Sequence, residues 1–257
     1  MNEKIAIIMP KGIQYDYCIK SFHDEDFNLP LIIRLNRPNQ NLKKRLKIFV
    51  KSFLIFTQKQ RLERLKINLK KDSELLLKQK LNCEYDRINE IELESFNQEY
   101  IASELKKHKI EYCIIWGCPI LKSNIISSVS KIIFNAHTSI LPYYKGSFSE
   151  FWQFFHDDFD KAGITIHQVD QGIDSGDIFY QIPALISDCI NPYILRAYNS
   201  VRIAKNYSNV VKQVINKKLA PQQQSIPNEK QNQDKIYKMK DITIDKEIRV
   251  YMKQDKY

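Results

Sequence analysis

The strongest constraint on the fold is a set of short apolar runs that do not alternate with polar residues. Lys4–Met9 (KIAIIM), Leu31–Leu35 (LIIRL) and above all Ile110–Trp116 (IEYCIIW) are of this kind. A strand covered on one face alternates, whereas a run apolar throughout is covered on both, as in a parallel sheet between helical layers. Between the runs come stretches with helical spacing: Gln14–Phe22, Leu42–Leu81, Glu92–His108, Leu121–Val129 and Pro192–Lys218. Shorter strands are expected at Tyr85–Ile88 and Ile132–Phe134. This order predicts an α/β fold with a mostly parallel, twisted sheet and helices on both faces. Ligands of such sheets bind beyond the carboxyl ends of the strands. Residues 1–205 are expected to form the catalytic domain and 206–257 a C-terminal extension. In that extension Ala220–Asp234, rich in Gln, Asn and Pro, reads as a polar linker and Ile236–Tyr251 as a hairpin or helix.

The charge is local. Thirteen Lys or Arg lie between Leu42 and Lys80, opposed only by Glu63, Asp72 and Glu74, so this segment carries the whole formal excess of +10. On amphipathic helices, segment 42–80 reads as a solvated face or as a contact for a polyanion: nucleic-acid phosphate, an anionic membrane surface or a charged carrier. The five cysteines (Cys18, Cys83, Cys113, Cys118, Cys189) are odd in number and show no CxxC pairing. They are expected to be reduced side chains of a cytoplasmic protein, and no metal site is expected. No apolar run approaches the roughly 20 residues that span a bilayer, and no signal peptide is expected ahead of the first strand.

Four of the six glycines, Gly146, Gly163, Gly172 and Gly176, fall in one stretch, which marks a region of shaped loops. Within it, Asn135 and His137 have the i, i+2 spacing that sends two side chains to the same face of an extended strand. Asp174 follows 37 residues after His137 in a Gly-flanked turn, where it can orient or charge the imidazole. An amide donor, an imidazole and a carboxylate on one small group would make an active site. Each alone is as readily a hydrogen-bonded core residue or a turn former.

The two motifs are long. Residues 134–147 read Phe-Asn-Ala-His-Thr-Ser-Ile-Leu-Pro-Tyr-Tyr-Lys-Gly-Ser, and residues 163–181 read Gly-Ile-Thr-Ile-His-Gln-Val-Asp-Gln-Gly-Ile-Asp-Ser-Gly-Asp-Ile-Phe-Tyr-Gln. Together they resemble the signature of the folate-dependent formyltransferases, with the likeness strong from about Ile110 to Gln181. One departure is Thr138, where the family often has Pro. The resemblance implies a Rossmann-like formyltransferase fold, 10-formyltetrahydrofolate as the formyl donor and a catalytic Asn135, His137 and Asp174. It also implies a homodimer. In the chemistry it implies, an amine attacks the formyl carbon and the oxygen becomes negative. Asn135 would donate to that oxygen, His137 would serve as an acid, a base or, when protonated, an electrostatic partner, and Asp174 would take the shed proton, directly or through water. The folate would be held by main-chain groups of Cys118, Pro119, Ile120 and Leu121, and of Val169, Asp170 and Ile173. His167 matches the family's histidine in the second motif, and reads equally as a partly buried strand residue.

The family does not fix the amine. Methionyl-tRNA formyltransferases generally carry a C-terminal β-barrel of about a hundred residues, whereas 76 residues follow Gln181 here. Met9-Pro10-Lys11-Gly12 lacks the Gly/Ser-rich phosphate loop of the glycinamide ribonucleotide enzymes. The tract Gly146–Trp152, with aromatic and small polar residues, is similar to that of the short nucleotide-sugar N-formyltransferases. The expected acceptor is therefore an amino sugar carried on dTDP or another nucleotide, contacted by Tyr144, Lys145, Gly146 and Trp152. Phe151, Trp152, Phe154 and Phe155 are also spaced as the core face of a helix.

Overall fold

The computed structural model describes residues 2–36, 58–85, 90–225 and 235–252. Seven strands form one sheet: β1 (Ile5–Pro10), β2 (Leu31–Leu35), β3 (Glu90–Leu93), β4 (Tyr112–Ile115), β5 (Ile132–His137), β6 (Gly163–Gln168) and β7 (Ile178–Pro183). Their spatial order is β3-β2-β1-β4-β5-β6-β7. The first five strands run parallel, while β6 and β7 are antiparallel to their neighbours. The helices are α1 (Ile13–Asp24), α2 (Gln58–Lys80), α3 (Gln98–Lys107), α4 (Ser123–Ile126), α5 (Ser149–His156), α6 (Pro192–Ile215) and α7 (Ile244–Tyr251).

The apolar runs are continuous because each strand serves two cores. In β1, Ile5, Ile7 and Met9 pack with Cys18, Ile19 and Phe22 of α1 and with Ile203, Tyr207 and Val211 of α6. Ala6 and Ile8 face the other way, against Ile101 and Leu105 of α3 and Ile125 of α4. The exception is Arg34 in β2, which is fully buried and paired with Asp16 and, at 3.8 Å, with Glu90. A buried charge is tolerated only when paired, so this cluster ties α1 to the sheet edge.

Several boundaries differ from the sequence expectation. Of the strand expected at Tyr85–Ile88, Tyr85 is not in a strand and residues 86–88 lie outside the described residues. The edge strand is Glu90–Leu93, which pairs with Ile32–Leu35 and takes residues that helical spacing had assigned to Glu92–His108. The helix begins only at Gln98, where the Asn97 side chain accepts from the Tyr100 N–H and caps it. The helix expected at Leu121–Val129 is a single turn, α4. Residues 42–57 of the basic segment lie outside the described residues, and the rest is α2. One face of α2 is docked: Leu62 is buried, and Lys66 bridges Glu63 and, at 2.6 Å, Glu247 of α7. Its exposed face carries Arg61, Lys70, Lys71, Lys78 and Lys80.

The division expected after residue 205 falls inside α6, whose Tyr207, Val210, Val211 and Val214 belong to the main core. Pro192 at the first turn and the Asn191 side chain, which accepts from the Tyr193 and Ile194 N–H groups, start this 24-residue helix. Beyond it, Tyr237, Val250 and Tyr251 are buried against Phe151 and Trp152 of α5 in a third cluster. The C-terminal stretch is thus packed onto the body as an extended return and α7, rather than as a hairpin. No helix among the described residues is long and apolar enough to cross a membrane.

Candidate active site

Strand order reverses between β1 and β4, which opens a crevice at the carboxyl ends of the parallel strands. A cavity of about 440 Å³ lies there, a size that suits a small organic ligand. The loop after β4 (Ile115–Leu121), the end of β5 (Asn135–Thr138) and the loop after β6 (Val169–Asp174) line it. Gly146–Phe148, Arg196 and Ile236–Met239 complete the wall.

Asn135 and His137 project from the end of β5, and across the antiparallel pair Asn135 lies opposite His167 of β6. Asn135 Nδ2 is 3.1 Å from His167 Nε2 and 3.4 Å from Asp174 Oδ1. His137 Nδ1 faces Asp174 Oδ2 at 3.5 Å, and His167 Nε2 faces Oδ1 at 3.6 Å. The trio is therefore assembled, with His167 as a fourth member. The β6–β7 pairing slips between Ile166 and His167, and such irregularities re-aim side chains beside functional sites.

The other ring nitrogens fix the imidazoles. His137 Nε2 lies 2.9 Å from the Tyr144 carbonyl oxygen, which only accepts, so Nε2 carries hydrogen and donates. Ser149 Oγ, 3.2 Å from the same nitrogen, also donates to that carbonyl. His167 Nδ1 donates to the Gln168 carbonyl at 2.8 Å, leaving Nε2 toward Asn135 and Asp174. A proton at His137 Nδ1 therefore points at the Asp174 carboxylate.

Asp174 itself sits at φ +50°, in the left-handed region. Non-glycine residues there are uncommon and concentrate at functional sites. The Gln224 side chain holds the turn by donating to the Asp174 and Gly176 carbonyls at 2.9 and 2.8 Å. Burial opposes ionisation of Asp174. The facing His137, the hydrogen bond and charge of His167, and the Gly146 N–H at 2.8 Å outweigh it and hold the carboxyl well below the usual carboxylate range.

Cys118, Pro119, Ile120, Leu121, Val169, Asp170 and Ile173 all line the cavity, as does Gly146. Tyr144, Lys145 and Trp152 do not. The Tyr144 hydroxyl donates to Asp158, and its ring stacks on Tyr237 at 5.2 Å. The Lys145 carbonyl accepts from the Tyr237 N–H, and the Trp152 ring lies 4.9 Å from that of Tyr237. These three brace the C-terminal return instead of meeting the cavity, because aromatic spacing on α5 served its core face. Sequence reasoning missed the return itself, Arg196, the Gly146 amide and Gln224. The Gln-rich composition around Gln224 gave no sign of a support, since its partners are main-chain carbonyls 48 and 50 residues away.

A flat heteroaromatic ring needs apolar walls and a few main-chain partners. Trp116, Leu121, Val169 and Ile173 supply the walls. The N–H groups of Leu121, Asp170 and Ile173 have no hydrogen-bond partner among the described residues. The loops after β4 and β6 thus suit a pterin. No group of three or more His, Cys, Asp or Glu among the described residues is placed to hold a metal ion.

Phosphoribosylglycinamide formyltransferase of Bacillus subtilis (strain 168) is 31% identical over 85 residues, which are 33% of this chain and 43% of that protein. The chain thus matches less than half the length of this curated relative. The structure of WlaRD, a sugar 3N-formyl transferase with dTDP and 5-N-formyl-THF, aligns with TM-score 0.56 at 16% identity, over 99% of this chain and 81% of that one. Glycinamide ribonucleotide transformylase 1 from Symbiobacterium toebii aligns with TM-score 0.56 at 14% identity, over 87% and 94%. At such identities these two likenesses establish the fold, an α/β formyltransferase architecture. The family model described as formyl transferase matches residues 34–191, more than half of the chain and the stretch that holds Asn135, His137, His167 and Asp174; the chain belongs to the formyl transferase family.

Proposed function

We propose that the chain transfers the formyl group of 10-formyltetrahydrofolate to the amine of a nucleotide-linked amino sugar. The observation that carries this reading is the meeting of Asn135, His137 and Asp174 within 3.5 Å contacts on the wall of one cavity. The loops after β4 and β6 would hold the folate through main-chain groups. When bound, 10-formyltetrahydrofolate supplies an acyl group already activated on nitrogen. Asn135 donates its amide N–H to the formyl oxygen as negative charge builds there, trading one of its contacts with His167 or Asp174. His137, oriented by the Tyr144 carbonyl, offers a second donor at Nδ1. Asp174, kept ionised, balances the imidazolium and takes up the amine's proton, directly or through water; that proton would return to N10 as its bond to the formyl carbon breaks and tetrahydrofolate leaves.

The amino-sugar acceptor is supported by the fold likeness to WlaRD, which extends through the C-terminal return that walls the cavity. Glycinamide ribonucleotide is the second reading, favoured by the B. subtilis relative. The test is incubation with 10-formyltetrahydrofolate and, separately, a dTDP-amino sugar, glycinamide ribonucleotide, charged initiator tRNA or no acceptor. Turnover of the amino sugar is expected. Turnover confined to glycinamide ribonucleotide would establish the second reading, and formate release without acceptor would mean a hydrolase.

A further inference from the structure

The cavity wall carries two cations, Arg196 and Lys238, that the formyl-transfer chemistry does not use. Both are exposed, and neither forms an ion pair with a carboxylate among the described residues. The two carboxylates on the same wall are already engaged. Asp170 accepts from the Gly172 N–H and Ser175 Oγ, and Asp174 from the Gly146 N–H beside its two histidines. An unpaired cation is ordinary on open surface, but two on the wall of one cavity bias it toward anions.

Their positions are also fixed. The Arg196 guanidinium lies over the Phe148 ring, 5.2 Å from its centroid, and Phe148 lines the same cavity. Lys238 follows Tyr237, whose N–H donates to the Lys145 carbonyl and whose carbonyl accepts from the Ser147 N–H at 2.8 Å. On its other side, the Lys238 carbonyl accepts from the Asp241 N–H at 3.0 Å. The main chain is thus held on both sides of the ammonium stem, with less ordering left to occur on binding. Arg196, from α6, and Lys238, from the C-terminal return, thus reach the same cavity that the loops after β4 and β6 line.

We propose that Arg196 and Lys238 form an anion clamp that binds the phosphate groups of the acceptor. Arg196 offers paired N–H donors for phosphate oxygens, and Lys238 a mobile point charge. The clamp makes the C-terminal return a determinant of acceptor choice: it selects amines that carry phosphate over free amino sugars. This inference rests on the formyl-transfer reading for the identity of its ligand, yet it is read by binding alone.

The test is calorimetric titration of the full chain with dTDP, inorganic pyrophosphate and thymidine at fixed ionic strength. dTDP is expected to bind, pyrophosphate to compete with it, and thymidine to bind far more weakly. Arg196→Ala and Lys238→Ala should each weaken dTDP binding by about tenfold, the size of one charge-assisted hydrogen bond. The double variant should lose more, while binding of 5-formyltetrahydrofolate stays unchanged and Arg196→Lys and Lys238→Arg restore part of the loss. Should the alanine variants fail to fold, Arg196→Gln and Lys238→Gln carry the same measurement. Equal binding of dTDP and thymidine, or wild-type affinity for dTDP in the double variant, would overturn the clamp. Clamp-dependent dTDP binding by a chain that transfers no formyl group would instead sink the catalytic reading alone.

Discussion

Asp174→Asn is expected to lower formyl transfer by about 10²–10⁴-fold, the range over which a positioned proton acceptor contributes. The amide fits the same turn and can still accept from Gly146, so the fold should persist. It cannot hold negative charge between His137 and His167, and its NH₂ would meet Asn135, also a donor. Both kcat and kcat/KM should fall, because the carboxylate acts as the amine's proton leaves. The substitution also has a pH signature. The folded carboxyl titrates below its ordinary value, so its stabilising contribution is complete above about pH 4. That contribution is lost as the pH falls through the depressed folded value. The stability difference between wild type and Asp174→Asn, measured by denaturant unfolding, should be present just above about pH 4 and shrink as the pH falls below it. A difference that grew toward acid pH would contradict the charge assignment.

The second large effect is expected at Gly146→Val. Gly146 has φ +101°, a conformation rare for residues with side chains, and a Cβ there would press into the Tyr237 carbonyl oxygen. Its N–H is also the hydrogen bond to Asp174 Oδ2. Backbone strain alone costs on the order of 1–3 kcal/mol, and separating Tyr237 from its bridge would expose part of the third apolar cluster. The expected result is a lower midpoint of thermal unfolding together with changed tryptophan emission, since Trp152 packs on Tyr237. Formyl transfer should fall as well, because one residue serves both the carboxylate and the cavity wall. An unchanged midpoint and unchanged emission would mean that the C-terminal return is not anchored at Gly146.

The sheet was legible because burial on two faces leaves a direct trace in composition. Ile5–Met9 and Tyr112–Ile115 could hardly be anything but central strands. The site's core was legible through two motifs flanking one antiparallel pair, which brings Asn135 opposite His167 and places Asp174 just beyond. Edges were less so. Glu90–Leu93 is a half-exposed strand whose Glu-Ile-Glu-Leu pattern fits the start of an amphipathic helix, and only pairing with β2 decides between them. The acceptor side was the least visible. Trp152 stood out by its chemistry yet packs in the core, whereas Arg196 and Lys238 sit in unremarkable helical and polar surroundings. Bringing Lys238 to the cavity depends on the long-range bridge between Gly146 and Tyr237, which no local pattern encodes. The basic charge of α2 likewise concealed its structural use, the docking of α7 through Lys66 and Glu247.

The central claim is that Asn135, His137 and Asp174 act together on a formyl group, and the rate of formyl transfer by His137→Ala tests it most directly. The measurement compares transfer from 10-formyltetrahydrofolate to the acceptor identified in the screen, for wild type and for a variant with unchanged circular dichroism. A fall of about 10²–10³-fold is predicted, the loss expected when one donor to the developing negative oxygen is removed. Wild-type turnover by His137→Ala would contradict the account.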